Sequence, residues 1–216
     1  MGSREEILAA IRKRQGRGGA SPPAAEREQL QTYLRAHPRG PLPEVAGDLA
    51  TRFCARAEAS ASTCDRVAAM AEAPGAVVRY LEAHGLPRSG CVWPSLAGLD
   101  WKAAGLELEP RAARGDDMIG VTGAFCALAE TGTLAMVSGR DTPASASLLP
   151  ETHIAVVPLA RVVRHMEDAW DLMRAELGQL PRAVNYISGP SRTADIEQTL
   201  VLGAHGPYRV HIVLVG

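Results

Sequence analysis

Aromatic residues are scarce in this chain, at three Trp, four Tyr and two Phe, or 4% of 216 residues. The hydrophobic content is nevertheless 46%, so a sizeable core is expected, built from Ala, Val, Leu and Ile. An excess of charge of one sign is also lacking. A formal net charge of −1 provides no electrostatic footprint for nucleic acid or an anionic membrane surface. No apolar run approaches the ~20 residues that span a bilayer. Residues 1–10 carry Glu5 and Glu6 and no apolar signal-peptide core. A soluble, cytoplasmic protein with no membrane span is expected.

Cysteine is sparse. Cys54, Cys64, Cys91 and Cys126 stand singly, with no Cys-x-x-Cys pair. Neither a zinc site nor a self-contained iron–sulfur site is encoded, and the thiols are expected as small buried hydrophobes. The six histidines are dispersed without metal-ligand spacing, so no metal site is expected. Gly-x-Gly-x-x-Gly, Walker A, Gly-x-Ser-x-Gly and His-Glu-x-x-His sequences are all missing. A nucleotide cofactor, a serine hydrolase and a zinc protease each lose support.

What is present divides into a helical first part and an α/β remainder. Ser3-Arg4-Glu5-Glu6 fits a capping box with Ser3 as N-cap, opening a short helix with Ile7, Leu8 and Ile11 on one face. The Gly- and Pro-rich residues 16–23 form a linker, so the first helix is either a frayed terminus or a docking arm. Residues 26–36 and 44–58 read as helices, the second with Val45, Leu49 and Phe53 on a buried stripe. A further helix, 76–82, stops at Gly85. Strands are expected at 91–93, 106–109, 122–129, 134–138, 153–158, 185–187 and 209–215. The unalternating apolar runs among them belong to strands buried on both faces. Residues 139–149 read as a loop, 159–177 as the clearest helix and 194–202 as another. The fold class is therefore α/β, with a mostly parallel sheet flanked by helices. The expected division is an N-terminal helical extension, 1–60, and an α/β domain, 61–216.

Three polar segments are placed where strands run into turns. In Glu130-Thr131-Gly132-Thr133, a carboxylate sits between two apolar runs, which is costly to bury without a partner. Glu130 is either a general acid, base or nucleophile, or a turn residue accepting backbone hydrogen bonds. In Gly189-Pro190-Ser191-Arg192-Thr193, Thr193 is expected to cap a helix whose first turn carries Asp195 and Glu197. Arg192 would then serve recognition of a carboxylate or phosphate, or a salt bridge. In Gly203-Ala204-His205-Gly206-Pro207, His205 titrates near neutral pH or simply shapes a tight turn. Open α/β sheets bind ligands beyond strand carboxyl ends, and the segments are expected to converge there. Residues alone reach an α/β protein with a candidate anion site.

The same segments carry a family resemblance. Ala129-Glu130-Thr131-Gly132-Thr133-Leu134, Leu148-Leu149-Pro150-Glu151-Thr152-His153-Ile154-Ala155-Val156-Val157, Gly189-Pro190-Ser191-Arg192-Thr193-Ala194-Asp195-Ile196-Glu197, and Gly203-Ala204-His205-Gly206-Pro207 with His211-Ile212-Val213-Leu214-Val215 resemble the lactate-utilisation protein C (LUD domain) family, in its order. The resemblance implies a fold like that of glucosamine-6-phosphate deaminase, ribose-5-phosphate isomerase and CoA transferases. It also implies a part in oxidising L-lactate to pyruvate with iron–sulfur partner proteins. The clusters would lie in those partners, with no cofactor in this chain. An alternative from the fold relatives is a stand-alone enzyme acting on a phosphorylated sugar or CoA ester. Carried onto matching positions, the site candidates are Glu130, Thr131, Gly132, Thr133, Gly189, Ser191, Arg192 and Thr193; the reading of the residues themselves makes Glu130 the catalytic candidate and adds His205 to the contacts with a small anionic ligand.

Overall fold

Asp48 accepts a hydrogen bond from the Thr51 backbone N–H at 2.7 Å, and this cap decides where the first buried helix begins. The computed structural model describes residues 3–16, 21–193 and 201–216 and divides into two units, Met1–Leu42 and Pro43–Gly216. The first unit holds α1 (Ser3–Arg14) and α2 (Ala24–Ala36), neither with a buried residue. Ser3, expected as a cap, is the first helical residue. The expected linker falls partly on residues 17–20, outside the described residues.

The second unit opens with α3 (Leu49–Ala59), five residues later than the expected start at 44. Phe53 and Ala57 on α3 are fully buried. Burying one phenylalanine is worth roughly 2–3 kcal/mol, so α3 belongs to the α/β unit. The boundary accordingly lies at 42/43, not at 60. There follow β1 (Thr63–Val67), α4 (Ala73–Ala83), β2 (Ser89–Val92), β3 (Glu107–Pro110), β4 (Ile119–Thr122), β5 (Cys126–Leu128), β6 (Thr133–Val137), α5 (Ser145–Leu148) and β7 (Thr152–Pro158). The chain ends with β8 (Val162–Val163), α6 (Met166–Leu177), β9 (Val184–Ile187), β10 (Arg192–Thr193), β11 (Val201–Leu202) and β12 (Arg209–Val215).

Six strands form one sheet in the order β1-β12-β7-β4-β2-β3, and every neighbouring pair is parallel. A second sheet, β8-β5-β6-β9, combines antiparallel β5–β6 and β6–β9 with parallel β5–β8. Side-chain alternation separates the cores. Ile154, Val156 and Val213 of the large sheet pack under Val77, Tyr80 and Leu81 of α4. On its other face, Ala155, Ile212 and Leu214 meet Phe53 and Ala57 of α3 together with Ala127, Leu134 and Met136 of the small sheet. The far face of the small sheet, through Cys126, Leu128 and Ala135, is covered by Ala169 and Met173 of α6. The sheet is thus mostly parallel and flanked by helices, as expected. Among the described residues no helix is long and apolar enough to cross a membrane.

Four expectations change for identifiable reasons. The run 122–129 is two strands, because Gly123-Ala124-Phe125 carries the chain from the large sheet into the small one, where the Phe125 N–H binds the Ala135 carbonyl. Helix 159–177 starts only at Met166, because the His165 N–H donates to Asp168 Oδ2 at 2.9 Å and so caps it, while Val162 and Val163 pair with Ala127 and Leu128. The loop 139–149 contains α5. Most of the expected helix 194–202 lies outside the described residues, but Val201 and Leu202 are strand, paired antiparallel with Thr193 and Arg192.

Two histidines are interred in neutral form. His153, fully buried, bonds Thr122 Oγ1 through Nε2 at 2.7 Å. Because the Thr122 hydroxyl already donates to the Gly123 carbonyl, Nε2 carries the proton. His211 bonds Thr63 Oγ1 through Nδ1 at 2.8 Å and stacks on Tyr80, with ring centroids 3.9 Å apart. Burial pushes both imidazoles down, each to about 4. The unfolded chain takes up these protons below about pH 6.5 while the folded chain refuses them, so stability falls as pH drops toward 4. Each histidine should contribute a loss of about 2 kcal/mol between about pH 8 and pH 5. Urea unfolding across that range should show this loss, with His211→Gln removing roughly half of the slope. A flat profile would contradict neutral burial.

Candidate functional site

Helix α3 ends in a pair of closing hydrogen bonds: the Ser62 N–H binds the Ala57 carbonyl at 3.0 Å and the Ala61 N–H binds the Glu58 carbonyl at 2.9 Å. This is a Schellman closure, whose left-handed position usually belongs to glycine. Here Ala61 occupies it at φ 64°, a strain of about 1 kcal/mol. The closure leaves the Ser60 carbonyl without a helical partner and aimed outward.

Both glycines of the candidate motifs press against this turn. Gly132 has φ +70°, and a Cβ there would lie 2.2 Å from the Ala57 nitrogen. Gly189 has φ +92°, and a Cβ there would lie 2.1 Å from the Ser60 oxygen. Such approaches admit only glycine, for space and for backbone conformation. Thr131 Oγ1 donates to Thr133 Oγ1 at 2.7 Å, and Thr133 Oγ1 in turn lies 2.7 Å from Ser188 Oγ. Three hydroxyls therefore join the 130–133 turn to the 188–189 turn directly.

Glu130 neither stands alone nor takes its side-chain partner from the backbone. Its Oε2 lies 2.9 Å from His165 Nδ1, and its own N–H binds the Arg164 carbonyl at 3.0 Å. The His165 ring is nearly buried, at 9% side-chain exposure, against 26% for the carboxylate. The carboxylate orients the imidazole through Nδ1, and the same side chain takes part in the capping box of α6 with the Asp168 backbone. Periodicity did not single out His165, since it lay inside the expected helix 159–177. The readable signal was Asp168 three residues later, a capping pattern.

Arg192 and Thr193 are strand residues of β10, and the start of the helix that Thr193 is expected to cap lies outside the described residues. The expectations for Asp195 and Glu197 fall on residues 194–200, outside the described residues. Arg192 Nη2 donates to the Ser60 carbonyl at 3.2 Å. The guanidinium thus sits at the C-terminus of α3, where a cation is favourable. The third segment is bound to the second through Ser191, whose N–H binds the Pro207 carbonyl and whose carbonyl accepts from the Gly203 N–H, both at 2.9 Å. His205 in that segment is exposed. Arg209, just beyond it, pairs with Glu151 at 2.7 Å. The α3 turn, residues 203–208 and residues 148–151 lead into β1, β12 and β7. The segments therefore converge at the entering ends of those strands, not at the carboxyl ends expected for an open α/β sheet.

A cavity of about 800 Å³ lies elsewhere, beside β2 and β3, and none of the motif residues lines it. Its central cation, Arg111, is held by two Asp117 oxygens and by Glu109, so its charge is already matched within the fold. The motif cluster, with its carboxylate–imidazole pair, is the stronger candidate. Among the described residues no group of three or more His, Cys, Asp or Glu side chains could hold a metal ion. Cys91 and Cys126 are buried in different cores, and Cys54 and Cys64 offer only two thiols, so the cysteines do not fit an iron–sulfur cluster.

The packing around the α3 turn ranks three kinds of substitution. Gly132→Ala and Gly189→Ala should each lower stability by more than about 2 kcal/mol, Arg192→Ala by less than about 1 kcal/mol, and Ala61→Gly should raise it by about 0.5–1 kcal/mol. Urea midpoints of the four variants check this order. Tolerance of alanine at 132 or 189 would refute the close approach.

Comparison with known proteins follows the same segments. The LUD domain profile matches residues 95–215, which include Glu130, His165, Ser188 and Arg192. "Lactate utilization protein C" of Bacillus subtilis (strain 168) is 39% identical over 133 residues, covering 56% of this chain and 55% of that protein. The protein of the same name from Halalkalibacterium halodurans is 43% identical over 100 residues, covering 45% of this chain and 44% of its own length. The chain thus spans about half the length of the curated relatives it matches. A crystal structure of a DUF162 family protein from Deinococcus radiodurans superimposes with a TM-score of 0.60 at 24% identity, over 81% of this chain and 100% of that one, which supports the fold. With the profile matched over more than half its length, the chain belongs to the LUD domain family.

Proposed function

We propose that this chain serves L-lactate utilisation in the cytoplasm. In this reading it is the ligand-binding subunit of a system that oxidises L-lactate to pyruvate together with iron–sulfur partner proteins. The names of its relatives support the first part of this reading. The Glu130–His165 pair carries the rest, because it supplies a buried base beside hydroxyl donors within the matched region. Oxidising a 2-hydroxy acid to a 2-oxo acid removes the hydroxyl proton, the Cα hydrogen and two electrons in all; His165 would take the hydroxyl proton, with Glu130 balancing the imidazolium that results. The Cα hydrogen would leave as the second proton, and the two electrons would pass to the iron–sulfur partner proteins, since this chain's cysteines do not fit a cluster. The hydroxyl chain Thr131–Thr133–Ser188 uses two of its three protons internally and leaves one O–H, on Ser188 or Thr133, to donate to the small anion, while Arg192 supplies positive charge at the rim.

Complementation tests this reading. In a host lacking the gene, the wild-type chain should restore growth on L-lactate. Glu130→Gln and His165→Gln, produced at equal level and folded by circular dichroism, should lower L-lactate oxidation at least about tenfold, the scale of a lost general base. Undiminished oxidation in both variants would reject the site, and unchanged growth of the deletion strain without a redundant system would reject the pathway.

A further inference from the structure

Cys54 and Cys64 lie ten positions apart, one on α3 and one on edge strand β1, on either side of the Schellman turn. Both are half-buried free thiols packed against the same core. Cys64 pairs in register with Ile212 of β12, and Ile212 faces α3. The Cys64 side chain thus points toward the helix that carries Cys54, and the two thiols are near enough to shift each other's titration. Arg66, two residues along the same strand, shares that face. It reaches Thr51 Oγ1 on α3 at 3.2 Å, which sets its positive charge near Cys54. Cys91 and Cys126 are fully buried and lie in different cores.

We propose that Cys54 and Cys64 form a redox-active thiol pair which a hydroperoxide converts to a disulfide across the C-terminal turn of α3. In the first step the Cys54 thiolate attacks the terminal peroxide oxygen, the O–O bond breaks, Cys54 becomes a sulfenic acid, and the departing hydroxide (alkoxide, for an organic hydroperoxide) takes a proton from solvent and leaves as water (or the alcohol). In the second step the Cys64 sulfur attacks the Cys54 sulfur, the S–O bond breaks, and the Cys64 proton leaves with the hydroxide as water. The two thiols are oxidised by two electrons and the peroxide is reduced by two.

The surroundings assign the roles. The neighbouring Cys64 thiol, with help from Arg66 and against burial and Glu58, brings the Cys54 thiol down to about 7. Cys54 is therefore substantially thiolate near neutral pH and is the attacking group. The neighbouring Cys54 thiolate and burial raise Cys64, which suits it to resolve the sulfenic acid once that thiolate is gone. Burial pushes Cys91 and Cys126 up to about 11, so they remain protonated and slow.

The test uses the full chain, treated with equimolar hydrogen peroxide and then blocked with N-ethylmaleimide. Arg52, Arg56 and Arg66 place the two thiols on separate tryptic peptides, residues 53–56 and 57–66. These peptides should appear joined, two hydrogens lighter than their sum, and should separate on treatment with dithiothreitol. Cys91 and Cys126 should carry maleimide. In Cys64→Ser, Cys54 should persist as a sulfenic acid trapped by dimedone, whereas wild type should accumulate little of that adduct. The proposal is overturned if wild type keeps Cys54 and Cys64 free at this dose, if Cys54 proceeds to the sulfinic acid with Cys64 unreacted, or if the link joins another pair. Reading native wild-type protein alone decides the central point even if a variant misfolds.

Discussion

The C-terminal turn of α3 is the contact on which the rest of the site depends. Its Schellman closure exposes the Ser60 carbonyl and leaves bare backbone at Ala57. Two turns distant in sequence, one from the small sheet and one following β9, come against it at separations only glycine can accept. Moving the helix end would displace Gly132 and Gly189 together. The hydroxyl chain Thr131–Thr133–Ser188 and the Arg192 contact to Ser60 then follow as consequences of that docking. An alanine in the left-handed position of the closure is a modest local strain, held by the burial of Phe53 and Ala57 behind it.

This arrangement also explains where the chemistry sits. A parallel sheet ordinarily offers its carboxyl ends to ligands. In this protein the β2–β4 crevice at that end is filled by the 139–145 segment, where Trp93 Nε1 donates to the Pro143 carbonyl at 3.0 Å and the Ser95 N–H to the Asp141 carbonyl at 3.3 Å. The small sheet, laid over the large one, instead delivers the β5–β6 turn to the α3 terminus. Glu130, at that turn, meets His165 at the cap of α6. The capping residue of one helix and the turn of a hairpin thus become one carboxylate–imidazole pair.

Much of the large sheet was legible in the residues, because unalternating apolar runs such as 153–158 and 209–215 can only be buried strands. Strand β1 was not. Thr63-Cys64-Asp65-Arg66 is polar, as an edge strand can be, and apolar pattern alone gives it no signal. The small sheet was hidden for another reason. A two-residue strand, Val162–Val163, is shorter than any periodicity, and its neighbours merged with the helix after it. Glu130, Gly132 and Gly189 were legible as unusual residues in unusual places. Their partners were not, since Ala57, Ser60 and His165 reach Gly132, Gly189 and Glu130 through contacts about seventy-five, a hundred and thirty, and thirty-five positions away in the chain. Arg192 shows what a charge read without its surroundings leaves out: one of its N–H groups is engaged by the Ser60 carbonyl of a helix end more than a hundred positions away.

Amide hydrogen exchange compared between wild type and Gly189→Ala tests the central dependence most directly. If the α3 turn joins the two motif loops, the added methyl should lower protection in peptides covering residues 56–62 and 130–133 together, while the α4 peptide 73–83 keeps its protection. Loss confined to residues 187–193, with the α3 turn and the Glu130 loop unchanged, would contradict the account.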